Sequence, residues 1–74
     1  MAKEDMQALK KFGRRVRELR KRSGLSQEDL ALESRLDRTF VSHVERGARN
    51  ASILSVLKLA RALGVKASRL LDRL

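Results

Sequence analysis

The chain contains no cysteine and no proline, only four glycines, two phenylalanines, and neither tryptophan nor tyrosine. Without thiols there is no disulfide, no thiolate nucleophile and no cysteine zinc site, and a single histidine, His43, cannot assemble a metal centre alone. No metal and no cofactor is therefore expected. Apolar runs are short as well. None approaches the roughly 18 residues of a membrane span, and the opening MAKEDMQALKK has no apolar export region, so a cytoplasmic protein is expected. Acidic side chains are scarce: nine stand against 18 Lys and Arg, for a formal charge of +9. That imbalance suits a polyanion, with nucleic acid the first candidate.

What the chain does hold is Leu, Ala, Arg and Glu, good helix formers in nearly every stretch, which predicts an all-α fold. Its 74 residues make one small domain, 1–74, that buries its core only marginally, so a second subunit would supply useful apolar contact. A large substrate cleft does not fit. A small nuclease would need carboxylates or histidines clustered around a metal, whereas the acids here sit near helix starts, so no enzyme is expected.

Periodicity and punctuation predict five helices. Leu9, Phe12, Val16 and Leu19 form one apolar stripe of a first helix from about Asp5 to Arg22, stopped by Gly24. Ser26, with Asp29 three residues on, reads as a variant capping box before a helix over about Gln27 to Ser34. Asp37 is the next cap, and Phe40, Val41 and Val44 form the buried side of a third helix ended by Gly47. Ser52 caps a fourth, whose stripe is Val56 or Leu57, Leu59 or Ala60, and Leu63; Gly64 closes it. A short fifth helix is expected from Ser68 to about Leu74.

On a wheel of about 100° per residue, Ser42 and Arg46 fall opposite the apolar side of the third helix, with Thr39 and Arg38 within about 65° and His43 on the flank. Arg reads guanine through two parallel hydrogen bonds, and Ser and Thr serve bases or phosphates. A polar outward face alone is what any amphipathic helix shows. Here it follows a capped eight-residue helix and a short turn, and this helix-turn-helix spacing, about 26–47, places the second helix in a major groove.

The strings LSQEDLA from Leu25, DRTFVSHVERG from Asp37 and RALGV from Arg61 resemble the Xre/Cro/C1-type regulators over nearly the whole chain. The small size, DRTFVS and ERGARN look most like the controller proteins of restriction-modification systems; a phage-type repressor or an antitoxin-like regulator is the alternative within the same fold. The resemblance implies a five-helix, lambda-repressor-like DNA-binding domain that recognises double-stranded DNA and regulates transcription; because a single 74-residue module would bind weakly, a homodimer is expected. It implies that Gln27 meets a phosphate, that Arg38, Thr39 and Ser42 face bases, that His43 and Arg46 lie at the groove edge, and that Arg49 and Asn50 reach the backbone or a neighbouring base. It also implies a partly buried ion pair between Arg20 and Glu45. Two positions depart from the pattern: Arg35 stands where relatives usually place Gly in the turn, and Ala51 where they often have Pro.

Charge is unevenly spread. Residues 1–24 carry +6, residues 25–50 carry −1 and residues 51–74 carry +4, so attraction to DNA must come largely from the flanking helices. Glu28, Asp29 and Glu33 make an acidic spot on the second helix, and Glu28 is a candidate contact for RNA polymerase. The basic first helix also admits a membrane-surface reading, but it lacks Trp and its apolar stripe is needed for the core, so no membrane partner is expected. A two-fold dimer places two reading helices about 34 Å apart over a pseudo-palindrome. Candidate interface residues are Ile53, Leu54, Val65, Leu70, Leu71 and Leu74, several of which must instead be core.

Overall fold

The computed structural model describes residues 1–74 as five helices, α1 (Lys3–Arg22), α2 (Gln27–Ser34), α3 (Arg38–Glu45), α4 (Ile53–Leu63) and α5 (Ala67–Leu71), with no strand. A single cluster of 12 buried apolar side chains joins them. From α1 it takes Phe12, Val16 and Leu19, and from α2 Leu30 and Ala31. Val41 and Val44 come from α3, Val56, Leu59, Ala60 and Leu63 from α4, and Leu70 from α5. α3 rests on α1 and α2, while α4 rests on α2 and α5. Leu9 is half-buried at the end of the first stripe, and Phe40 lies at the edge of the core rather than within it.

Start and stop chemistry explains the start of α2 and both ends of α4. Ser26 and Asp29 form a complete capping box: the Ser26 hydroxyl accepts from the Asp29 N–H at 3.0 Å, and the Asp29 carboxylate accepts from the Ser26 N–H at 2.9 Å. Hydrogen bonding from Ser26 to the carboxylate, its backbone N–H first, holds the Asp29 carboxyl below its ordinary range. Ser52 caps α4 by accepting from the Ser55 N–H at 3.1 Å. Gly64 closes α4 in the left-handed region, at φ 69°.

Several expectations need correction. α1 begins at Lys3, two residues before the expected Asp5, which puts Glu4 and Asp5 in its first turn, where acids favour the helix dipole. Asp37 occupies the N-cap of α3 in extended backbone, but its side chain makes no capping bond. On α4 Val56, not Leu57, enters the core, and Leu59 and Ala60 are both buried. α5 runs Ala67–Leu71 rather than to Leu74, because the chain turns extended at Asp72. The Arg15 guanidinium of α1 donates to the Leu70 carbonyl at 3.2 Å and to the Asp72 carbonyl, drawing the chain end onto α1. Leu70 is fully buried, so core packing removes it from the expected dimer surface, and Val65 is half-buried against the core. Ile53, Leu54, Leu71 and Leu74 stay exposed, joined by Leu57.

α2 ends on Arg35 at φ 59°, ψ 39°, the left-handed conformation that a side chain resists by roughly 1–2 kcal/mol. Glycine relieves that strain while adding about 0.4–1 kcal/mol of unfolded-state entropy. Arg35→Gly is thus expected to raise the melting temperature by a few degrees in thermal denaturation, at about 4–8 °C per kcal/mol for a domain of this size. A lower value in the variant would contradict this account of the turn.

Candidate nucleic-acid interface

The core-facing residues of α3 dictate what its other side offers. With Val41 and Val44 buried, Arg38, Thr39 and Arg46 are exposed and Ser42 is half-exposed along the outer side. Gln27, at the start of α2, lines the same shallow polar depression as Arg38, Thr39, Ser42, His43 and Arg46. Six of the eight residues expected at DNA are thereby brought together. The Arg46 guanidinium lies 2.9 Å from His43 Nδ1. Because arginine only donates, Nδ1 accepts in this arrangement, which fixes the ring tautomer and aims Arg46 back along the helix.

Arg49 and Asn50 part company. The Arg49 guanidinium sits 6.0 Å from the centroid of the Phe40 ring and borders the hollow between α2 and α3, together with Arg38 and Thr39. Asn50 instead borders a mostly apolar dimple with Leu9, Phe12, Leu71 and Leu74, away from the polar depression. The remaining wall of the α2–α3 hollow carries Glu28 and Leu32, the latter 75% exposed.

What holds this surface in place lies directly behind it. Arg20 Nε donates to Glu45 Oε2 at 2.6 Å and Arg20 Nη2 to Glu45 Oε1 at 3.0 Å, a two-pronged pair between α1 and the end of α3. The third guanidinium nitrogen donates to the Leu25 carbonyl at 2.9 Å, in the turn ahead of α2. Hydrogen bonding to Glu45 raises the Arg20 pKa further above its ordinary value, against the opposing effect of burial. The Gln27 amide also donates to Glu45 Oε1, at 3.1 Å. Expected to meet a phosphate, Gln27 is thus first of all a tether between α2 and α3, and one N–H of its amide remains for another acceptor.

Sequence reasoning missed Gly13. A β-carbon there would overlap the Val44 carbonyl oxygen and lie 2.6 Å from that of Glu45, so only glycine lets α1 cross this close beneath the end of α3. Gly47 has a related role: at φ 73° it turns the chain out of α3, and a β-carbon would lie 2.9 Å from Lys10 Cα. The available signal was a helix-interior glycine beside the apolar stripe, where Ala would be the better helix former.

The HTH_3 family of helix-turn-helix proteins matches residues 16–70. The chain belongs to that family. It is 48% identical over 62 residues to the control protein C.BamHI of Bacillus amyloliquefaciens, covering 82% of this chain and 76% of the relative. Its fold is similar to the crystal structure of the restriction-modification controller protein C.AhdI from Aeromonas hydrophila, with a TM-score of 0.83 and 56% identity over 84% of this chain and 94% of that one. It is also similar to the controller protein C.Esp1396I, solved as a tetramer in complex with its natural 35 base-pair operator, with a TM-score of 0.76, 39% identity and coverage of 80% and 78%.

Proposed function

We infer that this protein is a transcriptional regulator of restriction-modification genes, without catalytic activity, that binds a pseudo-palindromic operator as a homodimer and acts in the cytoplasm as one DNA-binding domain over residues 1–74. The observation that carries this reading is the gathering of Gln27, Arg38, Thr39, Ser42, His43 and Arg46 on the outer side of a helix-turn-helix. The kinship to control proteins, one of them solved on operator DNA, supports it.

Within this reading α3 enters the major groove. Arg38, Thr39 and Ser42 contact base edges, Arg46 reaches a base from the groove edge, Gln27 and His43 meet the backbone there, and Arg49 reaches the phosphates beyond. Asn50, which borders a different hollow, takes the same role from the far side of the α3–α4 turn. Two copies pair through the exposed apolar side chains of α4 and the chain end: Ile53, 82% exposed, with Leu54, Leu57, Leu71 and Leu74. A body of 32 × 23 × 21 Å is of the right size for paired reading helices to lie about 34 Å apart, one turn of DNA.

Selection of bound duplexes from a random library tests the whole reading, and a symmetric site with half-sites about one turn apart is expected. Enrichment of no common sequence would reject it. On the selected site Arg38→Ala should cost about 1–3 kcal/mol and relax the preference at one base pair, with little effect on random DNA. Equal losses on both duplexes would remove Arg38 from base reading.

Glu28 is exposed on the wall of the α2–α3 hollow, outside the polar depression, and we assign it a contact to RNA polymerase beside the operator. In a reconstituted transcription assay Glu28→Lys should bind the operator normally and fail to activate. Full activation by the variant would refute this assignment.

A further inference from the structure

Most of the excess charge lies on α1, and it is not spread evenly around that helix. Lys10, Arg14, Arg17 and Lys21 are all exposed and follow one another at intervals of four, three and four residues. At 100° per residue they fall within an arc of about 60°. No acidic residue of α1 enters that arc: Glu4, Asp5 and Glu18 lie outside it.

Contacts already described orient this stripe. Lys10 abuts Gly47, Gly13 lies beneath the Val44 and Glu45 carbonyls, and Arg20 grips Glu45. These positions trace the edge of α1 that runs along the end of α3, and the stripe is the next edge around the helix toward solvent. Glu45, which Arg20 holds, is also held by Gln27 from the margin of the reading depression. Through Glu45 the helix that carries the stripe is braced against a residue of that depression, and the stripe spans about 16 Å from Lys10 to Lys21. Successive phosphates of one strand advance about 3.4 Å along the duplex, so its four cations match a run of neighbouring phosphates.

We propose that the Lys10–Arg14–Arg17–Lys21 edge of α1 is a second, sequence-independent DNA contact, clasping backbone phosphates outside the half-site that α3 reads. The inference rests on the operator-binding reading above. It accounts for an otherwise unsuitable charge distribution: a reading unit of net −1 gains little from long-range attraction and needs a cationic neighbour. A lipid surface fits less well, because the apolar side of α1 is spent on Phe12, Val16 and Leu19 in the core and none is left to insert.

The test compares two double variants of equal charge whose centres lie about 100° apart around α1, Arg14→Gln/Arg17→Gln on the stripe and Lys11→Gln/Arg22→Gln on the flank away from α3. Each is titrated at several salt concentrations against the site this protein selects from a random library, either with flanks of about ten base pairs or trimmed to the half-sites. With long flanks the stripe variant should lower the slope of log K against log salt by about 2 per subunit, at roughly 0.9 per phosphate released. Its base preference should be unchanged, and the variant on the flank away from α3 should change the slope by less than half as much. Trimming the flanks should weaken the parent protein and leave the stripe variant unaffected. Arg17→Gln alone should give about half the slope change, which keeps the comparison intact if a double variant is poorly folded.

Equal slope changes for the two double variants would overturn the proposal in favour of net charge alone. Unchanged slopes with lost binding to phosphatidylserine vesicles would overturn it in favour of a lipid surface. A parent protein that selects no site defeats the operator reading itself, whereas a parent that binds its site while the two double variants behave alike defeats only this inference.

Discussion

The orientation of α3 depends on one buried ion pair. Glu45, at the end of that helix, has its side chain only 2% exposed, and a carboxylate so placed is costly unless its charge and lone pairs are met. Arg20 meets both oxygens from α1, Gln27 adds a donor from α2, and the remaining arm of Arg20 holds the Leu25 carbonyl between them. Two helices converge on a carboxylate carried by a third. The geometry also requires Gly13, since the arms of Arg20 reach Glu45 only where α1 passes close under the last carbonyls of α3. Apolar packing of Val41 and Val44 buries α3, but apolar contacts are not directional and tolerate sliding. A two-pronged charged pair does not, and it fixes how far Arg38, Thr39, Ser42 and Arg46 project.

This arrangement separates tasks that small DNA-binding proteins often combine. The helix-turn-helix carries a net charge of −1 and offers hydrogen-bonding side chains in a fixed row, while α1 and the last two helices carry the cationic excess. Under the proposed reading, specificity and attraction reside in different segments, and the buried pair is the joint between them. The apolar residues left exposed on α4 and at the chain end lie in the third segment, where on that reading pairing of two copies adds to the marginal core of a 74-residue domain.

Much of this was legible in the residues. The stripes of α1 and α3 follow the 3.6-residue period, and Ser26, Ser52 and Gly64 mark helix ends through local chemistry that needs no knowledge of the fold. The strained turn at Arg35 was signalled by the resemblance alone, because Arg stands where relatives usually place Gly, and its left-handed backbone is what the structure adds. What escaped depends on contacts distant in sequence. α5 stops early where the chain turns extended at Asp72, and the Arg15 guanidinium, more than 50 residues upstream, binds the carbonyls there. Leu70 and Leu71 are neighbours of one type, and only docking of α5 decides that the first is core and the second surface. Asp37 has the right identity for a cap, yet its rotamer leaves the helix start without its oxygen. Gln27 likewise carried a plausible phosphate role that concealed its bond to Glu45.

A double-mutant cycle on Arg20→Ala and Glu45→Ala, read by chemical denaturation, tests the central role of the pair most directly. Either single change leaves a buried charge without its partner and should cost about 3–5 kcal/mol. The double variant should cost well under the sum, with a coupling energy of at least about 1 kcal/mol. Additive losses, or single variants as stable as the parent, would contradict the claim that this pair sets the position of α3.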